Sequence, residues 1–230
     1  MSQRIDVHVV HVFTDKNGDF GSPTGIILDE NSAIRLERRQ EITVQLGFSE
    51  TVFINKLSPA DVSIFAQQKE IPFAGAPLVG TAWFIDNLTG SQTDVIRCQE
   101  NEIKIVHDEG LTWVIAEDLS ILPKWNLEQL DSEEEIEALS PDDRPPREHS
   151  YVWAWVDQSL KVGKVRARTF LPDWGIAEEE ANGSGSMLLA HKLGRSLLIK
   201  HGKGSYVRAT VGSTGVAVGG LVTEGPSLSV

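Results

Sequence analysis

Two segments of the chain place a turn of small residues at the start of an apolar helix, and this layout limits the possible folds more than any other feature. The segments are EIPFAGAPLVGTAWFI (70–85) and EEEANGSGSMLLAHKL (178–193). In each, a glutamate, Glu70 or Glu178, is followed five residues later by a glycine. A helix without a polar face has to be enclosed by other elements. The repetition therefore predicts an α+β protein built from two similar halves, each a curved sheet wrapped around a central helix.

Most of the remaining chain is predicted to form strands, because runs rich in β-branched residues alternate with turn residues. The predicted strands cover 4–14, 26–28, 50–57, 61–66, 94–99, 102–108, 111–117, 150–157, 164–171, 195–202, 205–212 and 215–223. One helix is predicted to begin after Asn31 or Ser32 as its N-cap and to end at Gly47. The two apolar helices are predicted over about 77–87, opened by Pro77, and from a Ser184 cap to Gly194.

Residues 117–149 differ in character from the rest. They contain an acidic, helix-forming piece and then SPDDRPPRE (140–148), which is rich in proline and charge. Such a composition is typical of an exposed connection, so the segment is predicted to be a solvated surface.

The overall charge excludes some classes of partner. The formal net charge is −12 and the isoelectric point is about 4.9, so the chain repels phosphate backbones and is not expected to bind nucleic acid. The single cysteine, Cys98, permits neither an internal disulfide nor a thiolate metal cluster. No signal peptide is evident, and no apolar run approaches the ~20 residues of a membrane span. A cytoplasmic protein that does not enter membranes is expected.

The two helix starts are candidate anion sites. Free backbone N–H groups and the positive end of the helix dipole favour a carboxylate there, and glycine lets the backbone approach a ligand closely. The residues concerned are Gly75 and Ala76 in the first half, and Gly183, Ser184 and Gly185 in the second. Glycine and serine are also simply good helix starts, so the matched pair matters more than either alone. Two such starts facing one cleft would bind a small carboxylated substrate.

Glu50 is a candidate acid/base group. It lies in GFSETVFI (47–54), where most neighbours are apolar. Apolar surroundings disfavour the charged form of a carboxyl and raise its pKa toward neutrality, so that it can accept and return a proton at cellular pH. The alternative is an exposed glutamate at the start of a strand.

Other polar clusters carry weaker signals. Ser22 in the turn FGSPTG could donate a hydrogen bond into a cleft, whereas KHGKGS (200–205) is more typical of a solvated hairpin tip. His8 and His11 are three apart on a strand, so they point to opposite faces about 10 Å apart and cannot share a metal. No nucleophile elbow, dinucleotide fingerprint or Walker loop is present. Neither a metal nor a cofactor is therefore expected.

Several segments, in their order, resemble the PhzF-like phenazine-biosynthesis family. They are DVHVVHVFTDKNGDFGSPTGIIL, GFSETVFI, EIPFAGAPLVGTAWFI, ARTFLPDWGIAEEEANGSGSMLLAHKL and GVAVGGLV. The resemblance implies the diaminopimelate-epimerase-like fold: two lobes, each a curved sheet or barrel around a central helix, with the active site between them. The first lobe would comprise 1–116 with a closing strand in 213–230, and the second 117–212.

The resemblance also implies a chemistry. The family's named enzyme isomerises a dihydro-hydroxyanthranilate without a cofactor, and its S-E-T glutamate, which matches Glu50, carries the proton. Epimerases of this fold use two cysteines at the helix mouths, where this chain has Ala76 and Ser184, so a two-thiol racemase is disfavoured. The usual histidine of G-H-P is replaced by Ala76, the usual asparagine of G-N-P by Ser22, and the aspartate of D-P-A-T-G-S by Glu179.

Three hypotheses follow from these patterns. The first is a cofactor-independent isomerase that moves a proton within a small carboxylated metabolite, with Glu50 and Glu179 as catalytic residues. The second is a binding protein on the same scaffold whose catalysis was lost with the histidine. The third is an interaction role for the acidic segment 131–143. The substrate is not identified and the oligomeric state is left open, a homodimer being one option.

Overall fold

The computed structural model of the protein describes residues 4–143 and 149–230. The α-helices are α1 (Leu36–Leu46), α2 (Gly75–Thr89), α3 (Glu133–Glu137) and α4 (Gly183–Leu193). The first eight strands are β1 (Asp6–Thr14), β2 (Ser22–Leu28), β3 (Glu50–Lys56), β4 (Ala60–Ala66), β5 (Glu70–Ile71), β6 (Val95–Cys98), β7 (Asn101–Asp108) and β8 (Leu111–Ala116). The others are β9 (Asn126–Gln129), β10 (Ser150–Asp157), β11 (Gly163–Leu171), β12 (Ile176–Glu179), β13 (Leu197–His201), β14 (Ser205–Val211), β15 (Val216–Glu224) and β16 (Leu228–Ser229).

One mixed sheet runs through the molecule and closes on itself. Its path is β1-β2-β3-β4-β6-β7-β8-β15, and pairing of β1 with β15 completes a ring. From β15 the sheet continues through β14, β13, β11 and β10 to β9. Strand β15 therefore pairs with the first half through β8 and with the second through β14.

The two halves repeat the same order of pairings. A parallel pair (β2–β3 or β9–β10) is followed by an antiparallel pair (β3–β4 or β10–β11) and a short strand (β5 or β12). A central helix then leads to a hairpin, whose first strand (β6 or β13) pairs in parallel with the second strand of the antiparallel pair (β4 or β11). This confirms the predicted α+β architecture with two similar halves. The predicted lobe boundaries remain a prediction, because β15 serves both halves.

The central helices are enclosed because their faces are apolar or small. In α2 the first eight residues, from Gly75 to Ala82, are all buried. Gly80 is required there, since a Cβ atom at this position would lie 2.7 Å from a methyl carbon of Val12 and 2.9 Å from one of Val10. In α4 the buried residues include Met187, Leu189 and Ala190. One apolar core contains residues of both halves, so the halves are packed together rather than linked loosely.

The helix starts differ from the prediction in three places. Helix α1 begins at Leu36, after neither Asn31 nor Ser32, because the Asp29 carboxylate accepts hydrogen bonds from the Ala33 and Ile34 amides and keeps the preceding loop non-helical. Helix α2 begins two residues before Pro77, which still lies in the first turn, where a missing N–H costs nothing.

The cap of α4 is also corrected. It is Asn182 and not Ser184: the Asn182 side chain accepts a hydrogen bond from the Gly185 amide at 2.6 Å. Gly47 and Gly194 do end α1 and α4 in the left-handed conformation, as predicted.

The described part of the segment 117–149, residues 117–143, packs one side against the second half, while most of its residues remain exposed or half-buried. Strand β9 pairs in parallel with β10, and Ile136 of α3 is fully buried against Val152 and Phe170. Arg166 holds α3 through a hydrogen bond of 2.7 Å to Glu137. The acidic residues of this segment lie on its outer face. The predicted exposed connection over 140–148 lies mostly outside the described residues. Among the described residues, no helix has the length and apolar character to cross a membrane.

Candidate active site

The two predicted catalytic carboxyls come from different halves and line the same cavity. Glu50 is the first residue of β3, and Glu179 is the last of β12. The other polar residues that line the cavity are Ser49, Asn182 and Ser184. Its apolar walls include Ile71, Phe73, Trp125, Leu171, Trp174 and Ile176. None of the described residues that line it is basic.

The cavity is nearly closed. Its volume is about 20 Å³, enough for about one water molecule. A larger groove, of about 680 Å³, lies on the outer face of the sheet beside Val106, Trp113 and Leu160, but it contains none of the predicted site residues. We place the site at the smaller cavity, because acid/base chemistry requires titratable groups that converge on one point.

Burial changes the protonation of both carboxyls. It raises the pKa of Glu50 well above its ordinary value, and the negative charge of Glu179 raises it further. Glu50 as a whole is only half-buried, but protein atoms surround its carboxyl group. Desolvation is therefore the main cause of its raised pKa. Burial also raises the pKa of Glu179, to about 7. Two neighbouring carboxyls with raised pKa values hold one proton between them near neutral pH.

Hydrogen bonds distinguish the two carboxyls. The Asn182 amide donates to Glu179 at 2.7 Å, and the Ser49 hydroxyl also donates to it. Both bonds lower the pKa of Glu179 against the larger effect of burial. Because donors stabilise the charged form, the negative charge of the pair resides on Glu179, and Glu50 holds the proton.

The two helix mouths meet directly. A Cβ atom added to Gly75 would lie 3.0 Å from the Cα atom of Gly183, and one added to Gly183 would lie 2.9 Å from the Cα atom of Gly75. Only glycine permits this approach of two backbones. The N-termini of α2 and α4 are therefore adjacent, as a shared anion site requires.

The predicted binding residues take different places around this junction. Ser184 lines the cavity, whereas Gly75, Ala76, Gly183 and Gly185 are buried beside it and are not among the described lining residues. The Gly185 amide is occupied by its bond to Asn182. Ser22 is buried in β2 and does not line the cavity either.

Several cavity residues were not predicted from the sequence, among them Ser49, Asn182, Trp125 and Trp174. Asn182 could have been found, since asparagine before a glycine-rich helix start is a strong N-cap signal. Trp125 could not, because it lies in the segment that was predicted to be solvated. Its indole N–H donates to the Ser184 hydroxyl oxygen at 3.0 Å.

The turn KHGKGS (200–205) is not a solvated hairpin tip, because it is hydrogen-bonded to Glu180, the residue next to Glu179. His201 is fully buried, and its Nδ1 atom donates to the Glu180 carbonyl oxygen at 3.0 Å. The Glu180 carboxylate accepts hydrogen bonds from the Lys203 amide at 3.1 Å and from the Ser205 hydroxyl at 2.9 Å. Burial lowers the pKa of His201 to about 3, so its ring is neutral. The turn thus holds the residue that follows Glu179.

Metal ligands are not grouped in the part of the chain that the structure describes. In residues 4–143 and 149–230, no three or more histidine, cysteine, aspartate or glutamate side chains are placed to hold one ion. His8 and His11 lie on β1 and take no part in the cavity.

Comparison with known proteins supports the predicted resemblance. The sequence model of the phenazine biosynthesis-like protein family (PhzC-PhzF) matches residues 10–116. The trans-2,3-dihydro-3-hydroxyanthranilate isomerase of Pseudomonas chlororaphis is 25% identical over 223 residues, which cover 80% of this chain and 78% of that protein. The predicted PhzF-like resemblance is confirmed. A second relative, an uncharacterized isomerase of Pasteurella multocida, is 27% identical over 106 residues, which are 44% of this chain and 36% of that protein.

Solved structures show the same PhzF-like fold. A PhzF family protein of Enterococcus faecalis superposes with a TM-score of 0.74 at 18% identity, covering 99% of both chains. A hydroxyproline epimerase of Agrobacterium vitis superposes with a TM-score of 0.58 at 12% identity, covering 100% of this chain and 93% of that one. The fold of this chain is therefore shared with the PhzF family protein and with the hydroxyproline epimerase, and the predicted fold class is confirmed.

Proposed function

We propose that this PhzF-like protein is a cofactor-independent isomerase that moves a proton within a small carboxylated metabolite. One observation carries the proposal: two carboxyls, Glu50 and Glu179, reach one cavity from the two halves of the fold, and both have raised pKa values. Perturbed acids that converge in a cleft are typical of proton-transfer sites. The relatedness to an isomerase supports the reaction class.

The shared proton defines the two roles. Glu179 carries the charge of the pair and acts as the base that removes a proton from a substrate carbon. Glu50 holds a proton and acts as the acid that delivers one to another carbon. Transfer of the gained proton from Glu179 to Glu50 restores the starting state, so that no cofactor is consumed. Efficient transfer requires pKa values near the working pH, and burial supplies them.

The helix junction binds the substrate's carboxylate in this proposal. The lining residues offer no cation, so the donors are neutral: the Ser184 hydroxyl, the Asn182 amide and the N-terminal ends of α2 and α4. Each helix N-terminus carries a partial positive charge that favours an anion. The same donors would stabilise charge that develops beside the carboxylate during proton removal.

Solvent exchange tests the proposal. We expect wild-type protein to incorporate deuterium from D₂O into at least one member of a panel of small unsaturated carboxylic acids, detected by mass spectrometry. Glu50→Gln and Glu179→Gln each remove one proton carrier but keep the side-chain volume, so we expect exchange to fall at least 100-fold in each. Glu30→Gln, at an exposed position, is the matched control. Equal exchange in the wild type and Glu50→Gln would refute the role of Glu50.

A second candidate function is a small-molecule binding protein without turnover. One observation favours it: Ala76 stands where the resemblance to the PhzF-like family implies an imidazole. Thermal stabilisation by a ligand without isotope exchange would support this candidate, since binding to the native state raises stability. Ala76→His tests it further: a gain of exchange would identify the lost imidazole as the cause. The interaction role of segment 131–143 has no such support, because that segment packs on its own sheet.

A further inference from the structure

Trp125 lines the cavity and contacts the hydroxyl of Ser184 at the start of α4. Ser184 is the one lining residue from the N-terminal turn of α4, and only 5% of its surface is exposed. Its hydroxyl accepts the indole N–H of Trp125 at 3.0 Å and donates to the Asn182 side-chain oxygen at 3.3 Å. The proton of this hydroxyl is engaged by Asn182, and one of the two lone pairs of its oxygen is engaged by Trp125. A carboxylate that accepts a hydrogen bond from Ser184 has to replace the Asn182 oxygen, beside an indole that already contacts the same hydroxyl.

The bulk of the indole matters as much as its hydrogen bond. Ligand cavities usually measure about 300–1,000 Å³, and this one measures about 20 Å³. Trp125 is a large part of the wall beside Ser184, where the negative charge of a ligand would be closest to the start of α4. The cavity is therefore small at the very end where the proposed carboxylate would bind.

Opening of the cleft between the halves would not remove the indole. Trp125 immediately precedes β9, which pairs with β10, and Ser184 lies on α4, so both groups belong to the second half of the chain. Glu50 belongs to the first half. A rigid movement of one half away from the other would separate Glu50 from Glu179 but would leave Trp125 on Ser184. Access to Ser184 requires Trp125 itself to move.

We propose that Trp125 is an internal plug that occupies the carboxylate subsite in the empty protein and that a ligand must displace. This inference rests on the proposed location of the ligand site, but not on turnover. It makes Trp125 a determinant of affinity and of ligand size: the plug weakens binding of every carboxylate, and ligands whose body fills the space vacated by the indole are favoured over smaller ones.

Binding of benzoate, measured by calorimetry, tests the plug. Trp125→Phe keeps an aromatic ring but loses the N–H donor, and we expect it to bind benzoate at least threefold more tightly than the wild type. Trp125→Ala also removes the bulk, and we expect at least a tenfold gain. Trp113→Phe is the matched control, because Trp113 lines the outer groove and not this cavity, and we expect less than a twofold change. Ser184→Ala should bind more weakly than the wild type.

The sign of the Trp125→Phe effect is decisive. If the indole N–H were a donor to the ligand, its loss would weaken binding and the proposal would be wrong. Equal binding by all Trp125 variants, or no benzoate binding by any of them, would also overturn it. None of these results depends on isotope exchange. If the benzoate experiment contradicts the role of Trp125, the assignment of Glu50 and Glu179 is unaffected. If the exchange assay is negative, the role of Trp125 is unaffected.

Discussion

Replacement of Glu179 by glutamine should stabilise the protein at alkaline pH. The carboxyl is buried, with 5% of the residue exposed, and burial raises its pKa from 4.5 to about 7. Between these two values the folded protein binds a proton that the unfolded chain has released. Stability therefore falls as the pH rises from about 4.5 to 7, and above pH 7 the full cost of ionising the buried group is present. Glutamine keeps the shape and removes this cost.

The structure sets the magnitude. A shift of about 2.5 pKa units corresponds to about 3 kcal/mol at roughly 1.4 kcal/mol per unit. For a chain of 230 residues this is a change of about 6–12 °C in Tm. Glu179→Gln also stabilises the protein in a second way, because removal of the Glu179 charge lowers the pKa of Glu50 and makes its ionisation less costly. Loss of activity with a gain of stability is expected where a site holds strained charges.

Urea unfolding at pH 5, 6, 7 and 8 measures this effect. The free energy of unfolding of Glu179→Gln minus that of the wild type should be about 1 kcal/mol at pH 5 and about 3 kcal/mol at pH 8. The difference reports Glu179 together with its effect on Glu50, because the other titrating groups are common to both proteins. Glu30→Gln, at the surface, should give a difference below about 0.5 kcal/mol at every pH. A variant that is less stable than the wild type at pH 8, or a difference without pH dependence, would show that the carboxyl is not desolvated as described.

Two further predictions concern the surroundings of the site. Burial lowers the pKa of His201 from 6.5 to about 3, so its neutral form contributes stability that is lost as the pH falls below 6.5, up to about 5 kcal/mol. Urea unfolding of His201→Gln should lack this acid slope, whereas the exposed His191→Gln should keep it. Gly183→Ala would place a methyl group 2.9 Å from the Cα atom of Gly75, and we expect a loss of about 1–3 kcal/mol in the same assay. Gly212→Ala, whose nearest neighbouring atom lies at 3.7 Å, is its control, and an equal effect of both would contradict the close contact of the helix mouths.

The fold could be predicted where local pattern and packing agree. The β-branched runs formed strands close to their predicted bounds, and the apolar helices are enclosed as their composition requires. The errors arose where distant residues decide a local conformation. Asp29 binds loop amides and delays α1, which no helix signal in 31–35 reveals. The acidic composition of α3 concealed Ile136, a single buried side chain that anchors the segment to β10 and β11.

The site was predictable at its carboxyls and less so around them. Apolar neighbours in sequence indicated that Glu50 is desolvated, and the contact of Gly75 with Gly183 agrees with the expected junction of helix mouths. Part of the cavity wall comes from the segment between β8 and β10, whose sequence has no regular hydrophobic periodicity. The position of Trp125 could therefore not be predicted. The turn at 200–205 was misjudged for a related reason: its lysines suggested solvent, but Glu180, far away in sequence, binds its amides.

The late position of β15 in the chain affects when the sheet can be completed during synthesis. It closes the ring against β1 and β8 and also pairs with β14. During synthesis, neither half can complete its sheet until this late segment has emerged from the ribosome. Without β15, the edges of β1, β8 and β14 lack this partner, so we expect a truncation before residue 216 to be prone to aggregation.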